Sequence, residues 1–186
     1  MYQTILQKIN SIATKNMPLL IAIDGRCGSG KTTLANYLQK QYNCNVIHMD
    51  EFFLRPEQNT KQRLAQPGGN VDYERFYEEV LLPLKSNKSF YYRPYDCHSQ
   101  TFLEAILIEP RPITIIEGSY SCHPTLQNQY DIKIFLSVSS DKQLQRIKKR
   151  NGEKALQSFI EKWIPLEELY FSTYNIKQNC DFYFET

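Results

Sequence analysis

The sequence lacks a strong charge of either sign and has no long hydrophobic run. Its 22 lysines and arginines and 20 aspartates and glutamates leave a formal net charge of +2 over 186 residues, which is too small to favour nucleic acid or a membrane surface as a partner. The longest aliphatic run near the start, Leu19 to Ile23, is far too short to cross a bilayer, and no apolar segment with a cleavage site precedes it. We therefore expect neither nucleic-acid nor membrane partners, and any basic site must be local.

Paired cysteine motifs are also missing. The five cysteines are odd in number and scattered, without a CxxC pair that would suggest zinc or a redox dithiol, and this usage predicts a reducing, cytoplasmic location. The opening residues MYQTILQKINSIATK contain no acidic group and no arginine, and Ile5, Ile9 and Ile12 share one helical face. Because a transit peptide would be rich in arginine, we expect a short helix that packs on the domain.

The length of the chain suits one domain, expected to span residues 1–186. A chain this long buries roughly two thirds of its unfolded surface, so one core forms without disulfides or metals. Short apolar runs alternate with helical patterns, which predicts an α/β three-layer sandwich with a parallel sheet covered on both faces. The five predicted strands are Leu19 to Asp24, Asn45 to Met49, Ile113 to Glu117, Ile132 to Leu136 and Asp181 to Phe184.

Apolar spacing and capping residues predict four helices after the first strand. We expect Pro83 to end or kink the second of them and Pro165 to bend the last. A long polar segment between the second strand and the second helix should be functional or mobile, and the block from Phe90 to Ile108 predicts a small hairpin outside the sheet. The four helices are Lys31 to Gln41, Asp72 to Leu84, Asp141 to Arg150 and Leu156 to Tyr174.

The most specific motif lies in IDGRCGSGKTTLA, where residues 25–32 match GxxxxGK[ST] between an apolar strand and a helical run. Glycines let successive backbone N–H groups curl around phosphate oxygens. Lys31 would place a positive charge on the β- and γ-phosphates, and the Thr32 hydroxyl can ligate Mg²⁺. The motif predicts ATP and Mg²⁺ as cofactors, bound by Gly25, Arg26, Cys27, Gly28, Ser29, Gly30, Lys31, Thr32 and Thr33.

Two acidic residues follow predicted strands. VIHMD ends in Asp50 and ITIIEG contains Glu117, and ligands of open α/β sheets bind beyond the carboxyl ends of the strands. One such acid alone would most simply end a strand in a turn. Two acids beside a phosphate loop favour phosphoryl transfer, which uses one carboxylate toward the acceptor hydroxyl and another in the magnesium shell.

These motifs resemble the uridine kinase and phosphoribulokinase group of P-loop kinases, which also includes pantothenate and nicotinamide riboside kinases. GRCGSGKTTLA is similar to the group's phosphate loop, HMDEFF to the segment with its catalytic aspartate and aromatic pair, and IIEGSYS to its Glu-Gly strand end. GGNVDYERF, RPYDCHS and LQRIKKR resemble its Asn-x-Asp segment, its Tyr-Asp segment and its lid. The resemblance covers most of the chain and implies a nucleoside/nucleotide kinase-like fold.

The resemblance also implies roles for individual residues. Asp50 would be the base toward the acceptor hydroxyl and would join Thr32 and Glu117 around Mg²⁺. An insert of about residues 51–110 would bind the acceptor through Phe53, Asp72, Tyr95 and His98. Two features depart from uridine kinases: His98 follows Tyr95-Asp96-Cys97 directly instead of Tyr-Asp-x-x-Ser, and KWIPLEELYF, from Lys162 to Phe171, is not a hallmark of the group.

Two arginines are candidates for a lid of about residues 141–155. Arg146 and Arg150 lie four residues apart on one face of the helix that begins at Asp141, and mobile arginines stabilise the charge that builds on a transferring phosphoryl group. A basic helix face alone is more often a solvated surface, but these kinases place their lid just after the fourth strand. Of the histidines, His48 is expected to be structural within its strand and His123 to lie in a loop.

We therefore predict an ATP-dependent kinase of a small molecule, with Lys31, Asp50, Arg146 and Arg150 as catalytic residues. The leading acceptor is the 5′-hydroxyl of a nucleoside, while pantothenate, nicotinamide riboside and sugars stay open because the phosphate machinery is shared. The rival from another class is a regulatory NTPase without an acceptor. The nearest match to a guanine signature, residues 59–62, reads NTKQ and lacks the aspartate. Uridine kinases often assemble, so a homo-oligomer stays an open expectation.

Overall fold

Five parallel strands form the central sheet of the computed structural model, which describes residues 1–13 and 18–186. The strands lie side by side in the order β2-β3-β1-β4-β5. In chain order they are β1 (Leu19–Gly25), β2 (Cys44–His48), β3 (Ile113–Glu117), β4 (Ile132–Ser137) and β5 (Phe182–Glu185). The predicted fold class and all five predicted strands are confirmed, and no strand end is displaced by more than one residue.

Both faces of the sheet are covered because successive side chains of a strand point to opposite sides. On one face, Ile21 and Ile23 of β1 pack under helices α1 (Tyr2–Ala13) and α2 (Lys31–Gln41). On the other face, Ala22 joins a larger cluster that contains Phe52, Phe76 and Tyr170. The short helix predicted at the start is confirmed over Tyr2–Ala13, and residues 14 and 15 of that segment lie outside the described residues.

The connection from β2 to β3 carries most of the irregular structure. It contains 3₁₀ turns at Met49–Phe52 and Pro56–Gln58, followed by the short helices α3 (Lys61–Leu64), α4 (Tyr73–Phe76) and α5 (Leu82–Lys85). Two nested antiparallel pairs follow, Phe90–Tyr92 with Ile106–Ile108 and Tyr95–Asp96 with Thr101–Phe102. The hairpin predicted outside the sheet is therefore confirmed, with two pairs where one was expected.

One arginine orders the long polar segment before α4. The Arg63 guanidinium donates to the carbonyl oxygens of Gly69 and Val71, both at 2.9 Å, and to the two carboxylate oxygens of Glu74, both at 2.6 Å. Its plane also lies over the Tyr73 ring, with 4.2 Å from the guanidinium carbon to the ring centre. A single side chain thus closes this loop onto the start of the next helix.

Two prolines are accommodated by widened helical turns. Pro83 follows a π turn at Tyr77–Leu81, and the helix continues through it to Lys85. The same arrangement recurs in the last helical stretch, which runs through α7 (Glu153–Ser158), a π turn at Phe159–Trp163 and α8 (Ile164–Thr173), with Pro165 just after the turn.

In both stretches the residue before the proline donates its N–H five residues back, Leu82 to Tyr77 and Ile164 to Phe159. The wider turn removes the clash that a proline ring makes in a regular helix, so Pro83 does not end its helix. The helix predicted after the fourth strand is confirmed as α6 (Ser140–Asn151). Over residues 1–13 and 18–186 no helix has the length and apolar character needed to cross a membrane.

The docking of α1 can be tested by removing a core side chain. Ile9 has no exposed surface and packs in the cluster beneath α1 and α2, so Ile9→Ala should lower the free energy of unfolding by about 2–5 kcal/mol in urea denaturation. Gln7→Ala, on the exposed face of the same helix, is the control and should stay within about 0.5 kcal/mol of the parent. Equal stability of the two variants would contradict the docked position of α1.

Candidate active site

The phosphate loop joins β1 to α2 at the carboxyl edge of the sheet. Gly25 has φ of +135°, and a Cβ there would lie 1.9 Å from the carbonyl oxygen of Leu136, so only glycine fits against β4. Gly30 precedes α2 with φ of +91° and provides no side-chain cap. No side chain at Gly30 caps the first N–H groups of this 11-residue helix. These N–H groups can donate to phosphate oxygens, and the positive end of the helix dipole favours an anion at the same place.

The Lys31 ammonium lies inside this loop. It donates to the carbonyl oxygens of Gly25 at 2.7 Å and Arg26 at 3.0 Å, and to the Ser119 hydroxyl at 3.2 Å. Lys31 is 8% exposed, so a buried positive charge is held beside loop N–H groups. This arrangement can bind the phosphate chain of a nucleotide.

Thr32, Glu117 and His48 form one hydrogen-bonded group at the ends of β2 and β3. The Thr32 hydroxyl donates to Glu117 Oε1 at 3.1 Å, and His48 Nδ1 lies 2.6 Å from the same oxygen. This hydrogen bond raises the pKa of His48 above its ordinary value. The expectation that His48 lies in a buried strand was wrong: β2 is an edge strand, and the His48 side chain is 38% exposed and contacts Glu117.

Asp50 lies in the 3₁₀ turn that follows β2, within the field of the same charges. Asp50 keeps exposed surface, yet the protein atoms around its carboxyl desolvate that group and raise its pKa. Lys31 acts in the opposite direction, while Glu117 and Glu167 raise this pKa further. The carboxylate is thereby made a stronger base than an ordinary aspartate.

The oxygen donors at this place suit a hard divalent cation. The Thr32 hydroxyl and the carboxylates of Glu117 and Asp50 are the ligand types that Mg²⁺ prefers. In the described part of the chain, no three histidine, cysteine, aspartate or glutamate side chains converge to hold a metal by themselves. Mg²⁺ usually takes one or two protein ligands and completes its shell with water and substrate phosphates.

Asp24, just before the loop, was missed as a site residue although it stands in the same sequence stretch. It is fully buried and accepts four hydrogen bonds, from the N–H groups of Gly25, Tyr120 and Cys122 and from the Tyr170 hydroxyl. Burial nevertheless raises the pKa of its carboxyl to about 6, against an ordinary value of 3.8. Asp24 joins β1, the loop after β3 and helix α8.

A second missed acid comes from the C-terminal block that the sequence left unexplained. Glu167 of α8 accepts from the Cys27 N–H at 2.9 Å and from the Ser119 hydroxyl at 2.6 Å. Its neighbour Glu168 pairs with Arg26 at 2.6 Å. KWIPLEELYF thus supplies contacts to the phosphate loop, and the signal in the sequence was that this segment is not a hallmark of the kinase group that the chain resembles.

Of the predicted lid arginines, the structure brings one to the loop. Arg146 donates to the carbonyl oxygen of Gly28 and to the Thr186 hydroxyl, both at 2.9 Å. Arg150, one turn farther along α6, is exposed and donates to its neighbour Asn151.

The residues predicted to bind the acceptor lie farther apart from one another than those of the phosphate loop. Asp72 is buried, caps α4 by accepting from the Arg75 N–H at 3.1 Å, and accepts from Gln58 Nε2 at 2.7 Å. It lines a cavity of about 320 Å³, and the full lining is Leu54, Gln58, Arg63, Asp72 and Glu74. Asp72 therefore combines a capping contact with access to a polar cavity.

The hairpin places the remaining predicted residues at different depths. Tyr95 is buried against Phe102, with ring centres 5.4 Å apart, and Phe53 is half-buried with its ring centre 6.3 Å from that of Trp163. His98 is exposed in the turn between the strands. Burial and the carboxylates of Asp96 and Asp50 raise the pKa of the neighbouring Cys97 thiol.

The third histidine, His123, lies in a loop as expected. It is buried there and stacks on Tyr73 with ring centres 4.0 Å apart. Burial lowers its pKa to about 4. It therefore packs as a neutral ring between the loop after β3 and α4.

Comparisons with known proteins agree with this geometry. A family model described as an AAA domain matches residues 21–162. A uridine kinase from Alkaliphilus metalliredigens is 30% identical over 162 residues, which are 80% of this chain and 77% of that protein. A uridine kinase from Ureaplasma parvum is 30% identical over 163 residues, 78% of this chain and 76% of its own.

Solved structures share the fold. A Bacillus stearothermophilus protein described as a possible uridine kinase has a TM-score of 0.69 and 19% identity, and the match covers 97% of this chain and 99% of that one. A candidate fructose transport system kinase from Silicibacter sp. TM1040 has a TM-score of 0.74 and 20% identity, with 99% and 98% covered.

The buried carboxyl of Asp24 predicts a specific pH dependence of stability. Its pKa is about 6 in the folded state against an ordinary 3.8, so the folded state binds the proton more tightly than the unfolded state does. The contribution of Asp24 to the free energy of unfolding therefore falls as pH rises from 3.8 to about 6. The free energy of unfolding of the parent minus that of Asp24→Asn, measured by urea unfolding, should be about 2 kcal/mol more positive at pH 4.5 than at pH 7. A difference that is constant with pH would contradict the raised pKa.

Proposed function

This chain belongs to the uridine kinase family of P-loop kinases, and from that premise we propose that it transfers the γ-phosphoryl group of ATP to the 5′-hydroxyl of a nucleoside. Family membership makes it a phosphotransferase that acts on a small molecule. The observation that carries the proposal further is the position of Asp50, an open carboxylate beside Lys31 and the Thr32–Glu117 pair.

The phosphate side of the reaction falls to the loop and α2. Lys31 would turn from its carbonyl partners toward the β- and γ-phosphates, and the loop N–H groups would hold the phosphate oxygens. Thr32, with Glu117 and Asp50 around it, would hold Mg²⁺. When bound, that ion neutralises charge on the phosphates. Arg146 already contacts the loop at Gly28, so it can add positive charge at the same place.

The acceptor side falls to Asp50. As the acceptor oxygen attacks the γ-phosphorus, its proton passes to the Asp50 carboxylate, the bond from the γ-phosphorus to the bridging oxygen breaks, and ADP leaves with those electrons. A raised pKa helps, because a base is most effective when its pKa approaches the working pH. Asp72, Tyr95 and Phe53 would contact the nucleoside, with Asp72 facing the polar cavity where ribose hydroxyls would be bound.

A sugar is the second candidate acceptor. One structure with the same fold is described as a candidate fructose transport system kinase, and the polar cavity beside Asp72 suits hydroxyl groups of either ligand. The phosphate side is common to both reactions, so only the acceptor distinguishes them.

Measuring ADP release with a panel of acceptors tests the proposal. The panel contains uridine, cytidine, adenosine, pantothenate, nicotinamide riboside and fructose, with 5′-deoxyuridine as the matched control that lacks the accepting hydroxyl. We expect a pyrimidine nucleoside to stimulate ADP release and 5′-deoxyuridine to inhibit it. Stimulation by pantothenate or fructose alone would reassign the acceptor, and ADP release that no acceptor changes but a protein partner does would favour a regulatory NTPase.

Asp50→Asn tests the acceptor step separately from nucleotide binding. Because Asp50 is assigned to the acceptor proton, this variant should lower the turnover number by about 10²–10⁴-fold. Thr32, Glu117 and the asparagine oxygen would still hold Mg²⁺, so ATP affinity, measured by calorimetry, should stay near the parent's. Lys31→Ala is the contrasting variant, since it removes charge from the phosphates and should weaken ATP binding or slow transfer severely. Retained turnover in Asp50→Asn would place the base elsewhere.

A further inference from the structure

Glu167 is a buried carboxylate whose two oxygens both serve the phosphate loop. It is 5% exposed, lies on α8 and accepts hydrogen bonds from the Cys27 N–H and from the Ser119 hydroxyl. Carboxylates are rarely this buried without specific partners. These two partners belong to the loop around Lys31 and to the segment after β3, which places Glu167 at the junction of both.

The Ser119 hydroxyl explains how Glu167 can act on Lys31. This hydroxyl has one proton and two acceptors within reach, Glu167 Oε1 at 2.6 Å and the Gly25 carbonyl oxygen at 3.2 Å. The shorter, charge-assisted bond to Glu167 takes the proton. The lone pairs of Ser119 are then free to accept from Lys31 Nζ at 3.2 Å. The orientation of the serine, and with it one anchor of the ammonium, therefore depends on the carboxylate.

Helix α8 is fixed to the loop at a second point and also touches the acceptor segment. Tyr170, one turn after Glu167, donates its hydroxyl to Asp24 at 2.8 Å, directly before the loop. Trp163, just before α8, lies against Phe53, the residue that closes the turn of Asp50. Helix α8 thus contacts residues before and within the phosphate loop, and the turn that precedes it contacts Phe53, three residues after Asp50.

We propose that Glu167 is a positioning residue for phosphoryl transfer, acting through Ser119 to hold the Lys31 ammonium and through the Cys27 N–H to hold the loop. This rests on the proposed function in that Lys31 is taken to bind the transferred phosphate. Glu167 needs no contact with substrate in this role. It sets the geometry of groups that have such contact.

The experiment compares Glu167→Ala, Glu167→Gln, Ser119→Ala and the double alanine variant. We expect each single alanine variant to lower the turnover number by about 100-fold, the size of effect that a misplaced catalytic group produces, with little change in the KM for ATP. The double variant should be no slower than Glu167→Ala, since Glu167 acts on Lys31 through Ser119 and its second contact, with the Cys27 N–H, is already lost in that single variant. Glu167→Gln should recover part of the loss, because its amide oxygen can accept from Cys27 and its amide nitrogen can donate to Ser119.

Glu161→Gln, an exposed acid in the turn before α8, is the matched control and should equal the parent. Thermal unfolding of every variant shows which ones are folded. Turnover in Ser119→Ala equal to the parent's, or a double variant in which the losses multiply, would overturn the proposal. If Glu167→Ala does not fold, Ser119→Ala and Glu167→Gln decide the outcome.

Failure of the proposed function would look different. If no acceptor stimulates the parent, the nucleoside assignment is refuted. The same variants are then compared by ATP hydrolysis, in which water accepts the phosphoryl group and ADP is released, and by ATP affinity. Variants that match the parent in both would overturn the role of Glu167. A loss of ADP release in Ser119→Ala and Glu167→Ala, absent in Glu161→Gln, would support it for whatever acceptor the enzyme uses.

Discussion

The buried carboxylate of Asp24 holds together the three elements that make the site. A carboxylate this deeply buried is costly unless its oxygens are well bonded, and here two oxygens accept four donors from the loop start, the segment after β3 and α8. Tyr120, one of these donors, has φ of +75°, a conformation that costs free energy for a bulky side chain. The bond to Asp24 helps to hold it, so the phosphate loop, Ser119 and Glu167 keep their places around one acid.

The charges at the site are unevenly distributed in a way that fits nucleotide chemistry. Among the described residues of the site, the carboxylates of Asp24, Asp50 and Glu167 lie near the Lys31 ammonium, and Glu117 adds a further negative charge near Asp50. A triphosphate brings further negative charge, so the loop N–H groups, the N-terminal end of α2 and a divalent cation have to supply the balance. The same crowding keeps the Asp50 carboxyl basic. One arrangement therefore favours a metal-bound nucleotide and a strong base together.

Local patterns predicted much of the fold and part of the candidate site. The strands and α2 follow from apolar runs and a glycine-rich turn, and Asp50 and Glu117 could be proposed as site residues because strand ends of a parallel sheet meet at one edge. Glu167 could not be found this way, since 140 residues separate it from the Cys27 N–H that it accepts from. The exposure of His48 was predicted wrongly because it depends on β2 lying at the sheet edge. The sequence of one strand does not reveal its position in the order of the sheet.

The π turn before Pro165 fixes more than the path of the chain. Each residue of an α-helix advances the side-chain direction by about 100°, so the extra residue in the turn at Phe159–Trp163 sets the angular phase of α8 relative to α7. In this phase Glu167 and Tyr170, three residues apart, both face the phosphate loop. Removing one residue between α7 and α8 would rotate that face away from the loop while leaving the composition of the helix nearly unchanged. The spacing from α7 to α8 is thus a length constraint on the enzyme, independent of which side chains fill it.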